Sequence, residues 1–354
     1  MKDSLVDNYC LFGLEALRAR LPAITQEVAG VRLAEDIECV HRMRVASRRA
    51  RNTLALFGEC LPHKHYDSWR KDLRRITRAL GAARDLDVQI SWVEDFLSHT
   101  TEDKWRVGIT RLLLRLRQER VRQQTQVAQA LARLEEQSTI DNMTGALHEM
   151  IVHARVYEID SMPSDLYQRA GEAILLRLEE FLAFEPFVAF PERTNELHQM
   201  RIAAKHLRYT LEVFAPLYGG QLKPGLKVVK EIQELLGEFH DCDVWLTFLV
   251  QFLEEERART LDYFGEELPL EELTPGIHAL QDDRALYRQE RYEVFARFWK
   301  LTRKYDIWND LRAIIRPPAE ELIEFAPIEA DEASETAVEN LTTPPVENAN
   351  LDNV

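Results

Sequence analysis

Residues 40–57 read VHRMRVASRRARNTLALF, and residues 197–214 read LHQMRIAAKHLRYTLEVF. Laid over each other, His41 falls on His198, Met43 on Met200, Arg44 on Arg201, Arg48 on Lys205, Arg51 on Arg208 and Phe57 on Phe214. A second pair of blocks follows in the same order, LGAARDLD at 80–87 and LGEFHDCD at 236–243. Leu80, Gly81, Asp85 and Asp87 thus recur as Leu236, Gly237, Asp241 and Asp243, at nearly the same offset as the first pair. Two blocks repeated in register mark an internal duplication. The expected organisation is two homologous halves, 1–158 and 159–316, followed by an acidic, disordered tail at 317–354. Duplicated bundles pack about a pseudo-two-fold axis, and such a join is a natural place for a shared cleft.

Outward from these blocks the chain reads as helix. No proline occurs between Pro62 and Pro163, and apolar residues keep three- and four-residue spacings there. Strand-like alternation is weak. Helices are expected near 5–20, 33–60, 64–80, 83–99, 104–137, 141–155, 163–183, 194–217, 223–237, 240–262 and 284–303. Gly219 and Gly220 close one of them.

The four cysteines, Cys10, Cys39, Cys60 and Cys242, are scattered, with no CxxC pair. That spacing predicts free thiols in a reducing cytoplasm rather than a disulfide scaffold or a zinc site. The first residues lack a basic stretch followed by a clean apolar run, so no signal peptide is expected, and no apolar run approaches the 18 or so residues of a membrane span. The formal net charge of −15 argues against a polyanion partner at first sight. It is unevenly spread, however. Ten acids and no lysine or arginine follow Arg316, so the rest of the chain carries −5 of the −15.

The position of the bases is the more telling feature. On a helix, His41, Arg44, Arg48 and Arg51 share an arc of about 80° and a length of about 15 Å. His198, Arg201, Lys205 and Arg208 repeat the stripe. Lys71, Arg74, Arg75 and Arg78 gather on one side of the next helix, and Lys223, Lys227 and Lys230 follow in the second half. Arginine offers a planar fork of donors that matches phosphate oxygens. Arrays of this length suit a long, repetitive anion better than a single small phosphate. Charge symmetry is incomplete, because Glu231 stands where the first half has Arg75, and Glu234 where it has Arg78.

Asp85, Asp87, Asp241 and Asp243 follow glycines and admit three readings: capping of a helix start, orientation of a base in the stripe, or catalytic carboxylates. No spacing defines a metal site, and no glycine-rich phosphate loop, GxSxG elbow or HExxH motif is present. No cofactor is expected.

The H-x-x-R-x-x-x-[RK]-x-x-R stripe, the later L-G-x-x-x-D-x-D block and their duplication resemble the CHAD family, the conserved histidine α-helical domain. The resemblance covers residues 1–305. It implies an all-α fold of two four-helix bundles related by pseudo-two-fold symmetry around a basic central groove or pore. It also implies a cytoplasmic module that binds inorganic polyphosphate and associates with polyphosphate granules, with no membrane partner. His41 and His198 would touch the ligand, with Arg44, Arg48, Arg51, Arg201, Lys205 and Arg208 beside them. Lys71, Arg74, Arg75, Arg78, Lys223, Lys227 and Lys230 would line the walls. The strand-rich E-x-E-x-K region of the triphosphate-processing domain that often accompanies this family is absent from the sequence. The expectation is therefore a binder rather than an enzyme. A polyphosphate phosphatase or phosphotransferase, and a nucleic-acid-binding helical module, are the alternatives. In the latter case aromatic residues would stack bases, and Tyr209 is the one aromatic interleaved with the stripe.

Overall fold

Helix-period apolar patterning governs the whole described chain. The computed structural model describes residues 7–34, 36–156 and 163–316, and these contain helices and no strand. In order they are α1 (Asn8–Arg20), α2 (Pro22–Thr25), α3 (Val28–Leu33), α4 (Ile37–Leu56), α5 (His63–His99), α6 (Asp103–Glu136) and α7 (Thr139–Val156). There follow α8 (Pro163–Leu182), α9 (Thr194–Phe214), α10 (Lys223–Phe264), α11 (Leu268–Glu271), α12 (Thr274–Lys304) and α13 (Ile307–Ile314). The expected tail, 317–354, and the expected boundary between the halves, at 158/159, lie outside the described residues.

Two expected helix breaks do not occur. Residues 64–80 and 83–99 are one helix, α5, and 223–237 and 240–262 are one helix, α10. Gly81 and Gly237 suggested breaks, but a glycine inside a helix costs only about 1 kcal/mol relative to alanine. Long amphipathic faces on either side outweigh that. The helix expected at 284–303 likewise begins earlier, at Thr274.

Three buried clusters hold the helices. One is built from α1, α4, α5, α6 and α7, with Met43, Leu54, Leu73, Leu80, Leu131 and Leu147 at its centre. A second unites α8, α9, α10, α12 and α13 around Phe181, Met200, Phe214, Phe239, Phe295 and Trp308. Tyr9, Phe12 and Phe57 join that second cluster from the N-terminal helices. The third is shared by the two sequence halves, with Val93, Ile109, Leu112 and Leu116 against Trp245, Leu249, Phe252 and Ile277. Gly108 on α6 and Gly276 on α12 let the backbones touch there. A Cβ at Gly108 would lie 2.0 Å from the Leu273 carbonyl oxygen, and one at Gly276 2.1 Å from that of Trp105.

A buried carboxylate reinforces this junction. Glu256 of α10 is fully buried and accepts hydrogen bonds from Arg111 Nε (2.7 Å) and Arg115 Nε (2.8 Å) of α6 and from Arg259 Nη1 (2.6 Å). Burial pushes its carboxyl up, but the three arginines together outweigh that and hold it below the usual range.

The cysteine expectation needs correction. Cys10 and Cys60 form a disulfide, with Cα atoms 5.2 Å apart, while Cys39 and Cys242 are free thiols. The pairing spans 50 residues of sequence, so no local spacing announces it. Packing of Tyr9 and Phe12 against Phe57 brings α1 beside the end of α4 and sets the two sulfurs together. Cys10 and Cys60 therefore give no indication of a reducing compartment. No helix among the described residues is long and apolar enough to cross a membrane.

Candidate anion-binding site

The two stripes meet because the helices carrying them pack together. α4 turns Met43, Ala46, Ala50 and Leu54 into the core, and α9 turns in Met200, Ala204, Leu207 and Leu211. α4 also lies against α9. Where they end, the Phe57 and Phe214 rings meet edge-on at 5.8 Å, and Phe12 stacks on Phe214 at 5.8 Å. With these ends pinned, the basic faces of α4 and α9 share one region.

Lys205 reports how crowded that region is. Burial first, then Arg201, Arg48, Arg51 and Arg44, lower its pKa to about 8. Three of those four arginines come from α4, in the other sequence half. Burial likewise depresses Arg48, Arg51 and Arg201. Arg48, Arg51, Arg201 and Lys205 form no ion pair with any described residue, whereas Arg208 pairs with Glu212 at 2.7 Å. Several buried polar atoms also lack a hydrogen-bond partner within the protein, among them Arg48 Nε, Arg201 Nε, His41 Nδ1, His198 Nδ1 and the Tyr209 hydroxyl. Buried donors are nearly always satisfied. Four of these belong to the stripes and Tyr209 lies beside them, while others, such as Trp308 Nε1 and Asn52 Nδ2, lie elsewhere.

The histidines sit at the heads of the stripes, half-buried. Burial lowers both, with Arg84 the next contributor at His41 and Arg201 at His198. His240, where the first half has Arg84, lies tilted against His198 with ring centres 4.0 Å apart. Burial, Arg201 and His198 push His240 down to about 4.

The repeated aspartates are interior to α5 and α10, so none caps a helix start. Continuity of those helices is the reason. Their two-residue spacing turns the members of each pair to different sides. Asp85 accepts from Arg44 Nη2 at 3.4 Å. Partial desolvation raises Asp85, with Arg44 and Arg201 pulling it back, and raises Asp241 in the same way, with Arg201 opposing. These two carboxylates therefore lie at the meeting of the stripes. Asp87 is held instead by Arg120 Nε (2.6 Å) and Asp243 by Arg288 Nε (2.5 Å). Arg120 and Arg288 were not singled out in the sequence because their spacing does not follow the repeat offset. The duplicated aspartates were the signal that a partner should exist.

The wall residues divide. Lys71, Arg74, Arg75 and Arg78 line a cavity of about 470 Å³ between α5 and α6. Burial depresses Arg51 most, Tyr209 opposes that, and Arg74 is close enough to depress it further. Lys223, Lys227 and Lys230 are exposed on α10, and Lys230 pairs with Glu234 at 3.8 Å. Among the described residues no group of three or more His, Cys, Asp or Glu could hold a metal ion.

An all-helical protein with duplicated histidine-headed basic stripes defines a class, and comparison with known proteins agrees. The sequence profile of the CHAD domain matches residues 15–250, and the chain belongs to that family. Its fold is similar to the crystal structure of the CHAD domain from the plant Ricinus communis, with TM-score 0.53 and 21% identity over 78% of this chain and 93% of that one. It is also similar to PptA from Streptomyces chartreusis, with TM-score 0.54 and 16% identity over 82% of this chain and 98% of that one. Comparison with curated protein sequences gave no match. Proteins of this family are typically non-catalytic.

Proposed function

We propose that this protein binds inorganic polyphosphate along the crossing of α4 and α9, as a module of two repeats, 1–158 and 159–316, arranged about a pseudo-two-fold axis. One observation carries the reading: the meeting of Arg48, Arg51, Arg201 and Lys205, half-buried, without ion pairs and with unpartnered donors. Such a cluster repels itself until an anion neutralises it. A linear chain of phosphates supplies acceptors at regular intervals along both stripes, and arginine forks engage them bidentately. His41 and His198 add donors at the heads of the two stripes. Asp85 and Asp241 balance Arg44 and Arg201 in the free protein and give way when phosphate arrives. The exposed bases of α5 and α10 extend the field outward, drawing the ligand in. Association with polyphosphate granules in the cytoplasm follows from this reading.

Two features favour polyphosphate over nucleic acid. Tyr209, the aromatic within the stripe, is 4% exposed and lies beneath the Arg48 guanidinium at 5.3 Å. It therefore presents no face to a base. The family resemblance points the same way.

The test is titration of the purified chain with polyphosphate by fluorescence anisotropy, beside Arg48→Ala and Arg201→Ala. Each substitution is expected to weaken binding about tenfold, the scale of one lost charge-assisted contact. Unchanged affinity in both would refute the site.

A further inference from the structure

The α5–α6 cavity has features that the crossing does not need. Beside the four bases of α5, Arg133 of α6 faces it, and Gln123, Gln126 and Gln129 line the same wall. Its floor is Ala79, Ala82 and Ala130, small enough for a chain to lie against the helices. A neighbouring cavity of about 300 Å³ shares Lys71 and Arg75 and continues to Ser68, Thr139 and Asn142. From Ser68 to Ala82 the groove follows α5 for about 21 Å. Lys71, Arg74, Arg78 and Arg133 form no ion pair with a described residue, and only Arg75 is engaged, by Asp72 at 3.0 Å. Arg74 is near enough to Arg51 of the stripe for its charge to be felt there.

We propose that this groove is a second polyphosphate site, which takes the part of a long chain that leaves the crossing. The inference rests on the reading above. Five cations in a shallow trough call for a polyanion. The three carboxamides add neutral donors that grip phosphate oxygens without needing further charge. The groove gives the ligand a direction as well. On α10, Glu231 and Glu234 replace Arg75 and Arg78, and Glu234 engages Lys230. A chain that overhangs the crossing is therefore held on the α5 side and not on the α10 side.

The experiment compares two polyphosphates, one that spans only the ~15 Å stripe and one several times longer. Each is titrated into wild type, Gln126→Ala/Arg133→Gln and Arg201→Ala. Both groove positions are exposed and unpaired, so the double variant should melt as wild type does. It is expected to lose about tenfold in affinity for the long chain, or about 1.4 kcal/mol, and to bind the short chain as wild type does. Arg201→Ala should weaken both. A groove variant that loses nothing, or loses equally on both lengths, overturns the second site while leaving the crossing intact. Wild-type protein that binds neither length overturns the crossing and the groove together.

Discussion

Lys205 is the residue on which the site's chemistry turns. A lysine held at about 8 by burial and four arginines is partly neutral in mildly alkaline solution. A bound phosphate stabilises its charged form and raises its pKa, so binding takes up a proton wherever the free lysine has begun to lose one. The sign is fixed by this. Polyphosphate affinity should fall as pH rises through 8, by up to about tenfold per unit for one linked proton. Lys205→Arg keeps its charge throughout and should flatten that profile. Titrations at pH 6.5, 8 and 9 check both statements, and an identical decline in the variant would assign the effect elsewhere. The histidines behave consistently, since burial among cations favours their neutral forms in the free protein and a bound anion reverses the preference.

At the scale of elements, long unbroken helices position these residues. α5 carries the groove bases on its first half and Asp85 and Asp87 further along, and α10 repeats the plan. The strut at Glu256 fixes α10 to α6. Removing its carboxylate with Glu256→Ala takes the shared acceptor from Arg111, Arg115 and Arg259, which keep access to solvent, so the expected cost is about 1–3 kcal/mol. Urea unfolding should show that loss, and a change near zero would contradict it. The same carboxyl links stability to pH. Held below its unfolded value, it contributes above the unfolded pKa and loses that contribution as pH falls through the folded one.

Much of this was legible beforehand. Three- and four-residue spacing gave the helices, and the register of His41, Arg44, Arg48 and Arg51 with their repeats gave the stripes and the basic face of α5. What escaped lies in contacts with no sequence spacing of their own. Arg120 and Arg288 meet their aspartates from helices outside the repeat register. Gly81 and Gly237 look like breaks until the long faces around them are counted. Cys10 finds Cys60 only because Tyr9, Phe12 and Phe57 pack first. Arg133 and the glutamines of α6 carry no motif, and only the cavity beside α5 reveals them.

For the whole molecule, a net charge of −15 coexists with a concentrated cationic site. Long-range repulsion of a polyanion by the chain and short-range attraction by the crossing therefore act together. Salt screens the first and competes with the second through counterion release, and the contact term dominates once several phosphates are engaged. Affinity should fall with added salt along a log–log line whose slope grows with ligand length. The most direct single measurement is a calorimetric titration of the full chain with long polyphosphate, run beside single-stranded DNA of matched charge. The account predicts saturable binding to polyphosphate, substantially tighter than to DNA and weakened in Arg201→Ala. Equal affinity for both polyanions, untouched by that substitution, would contradict it.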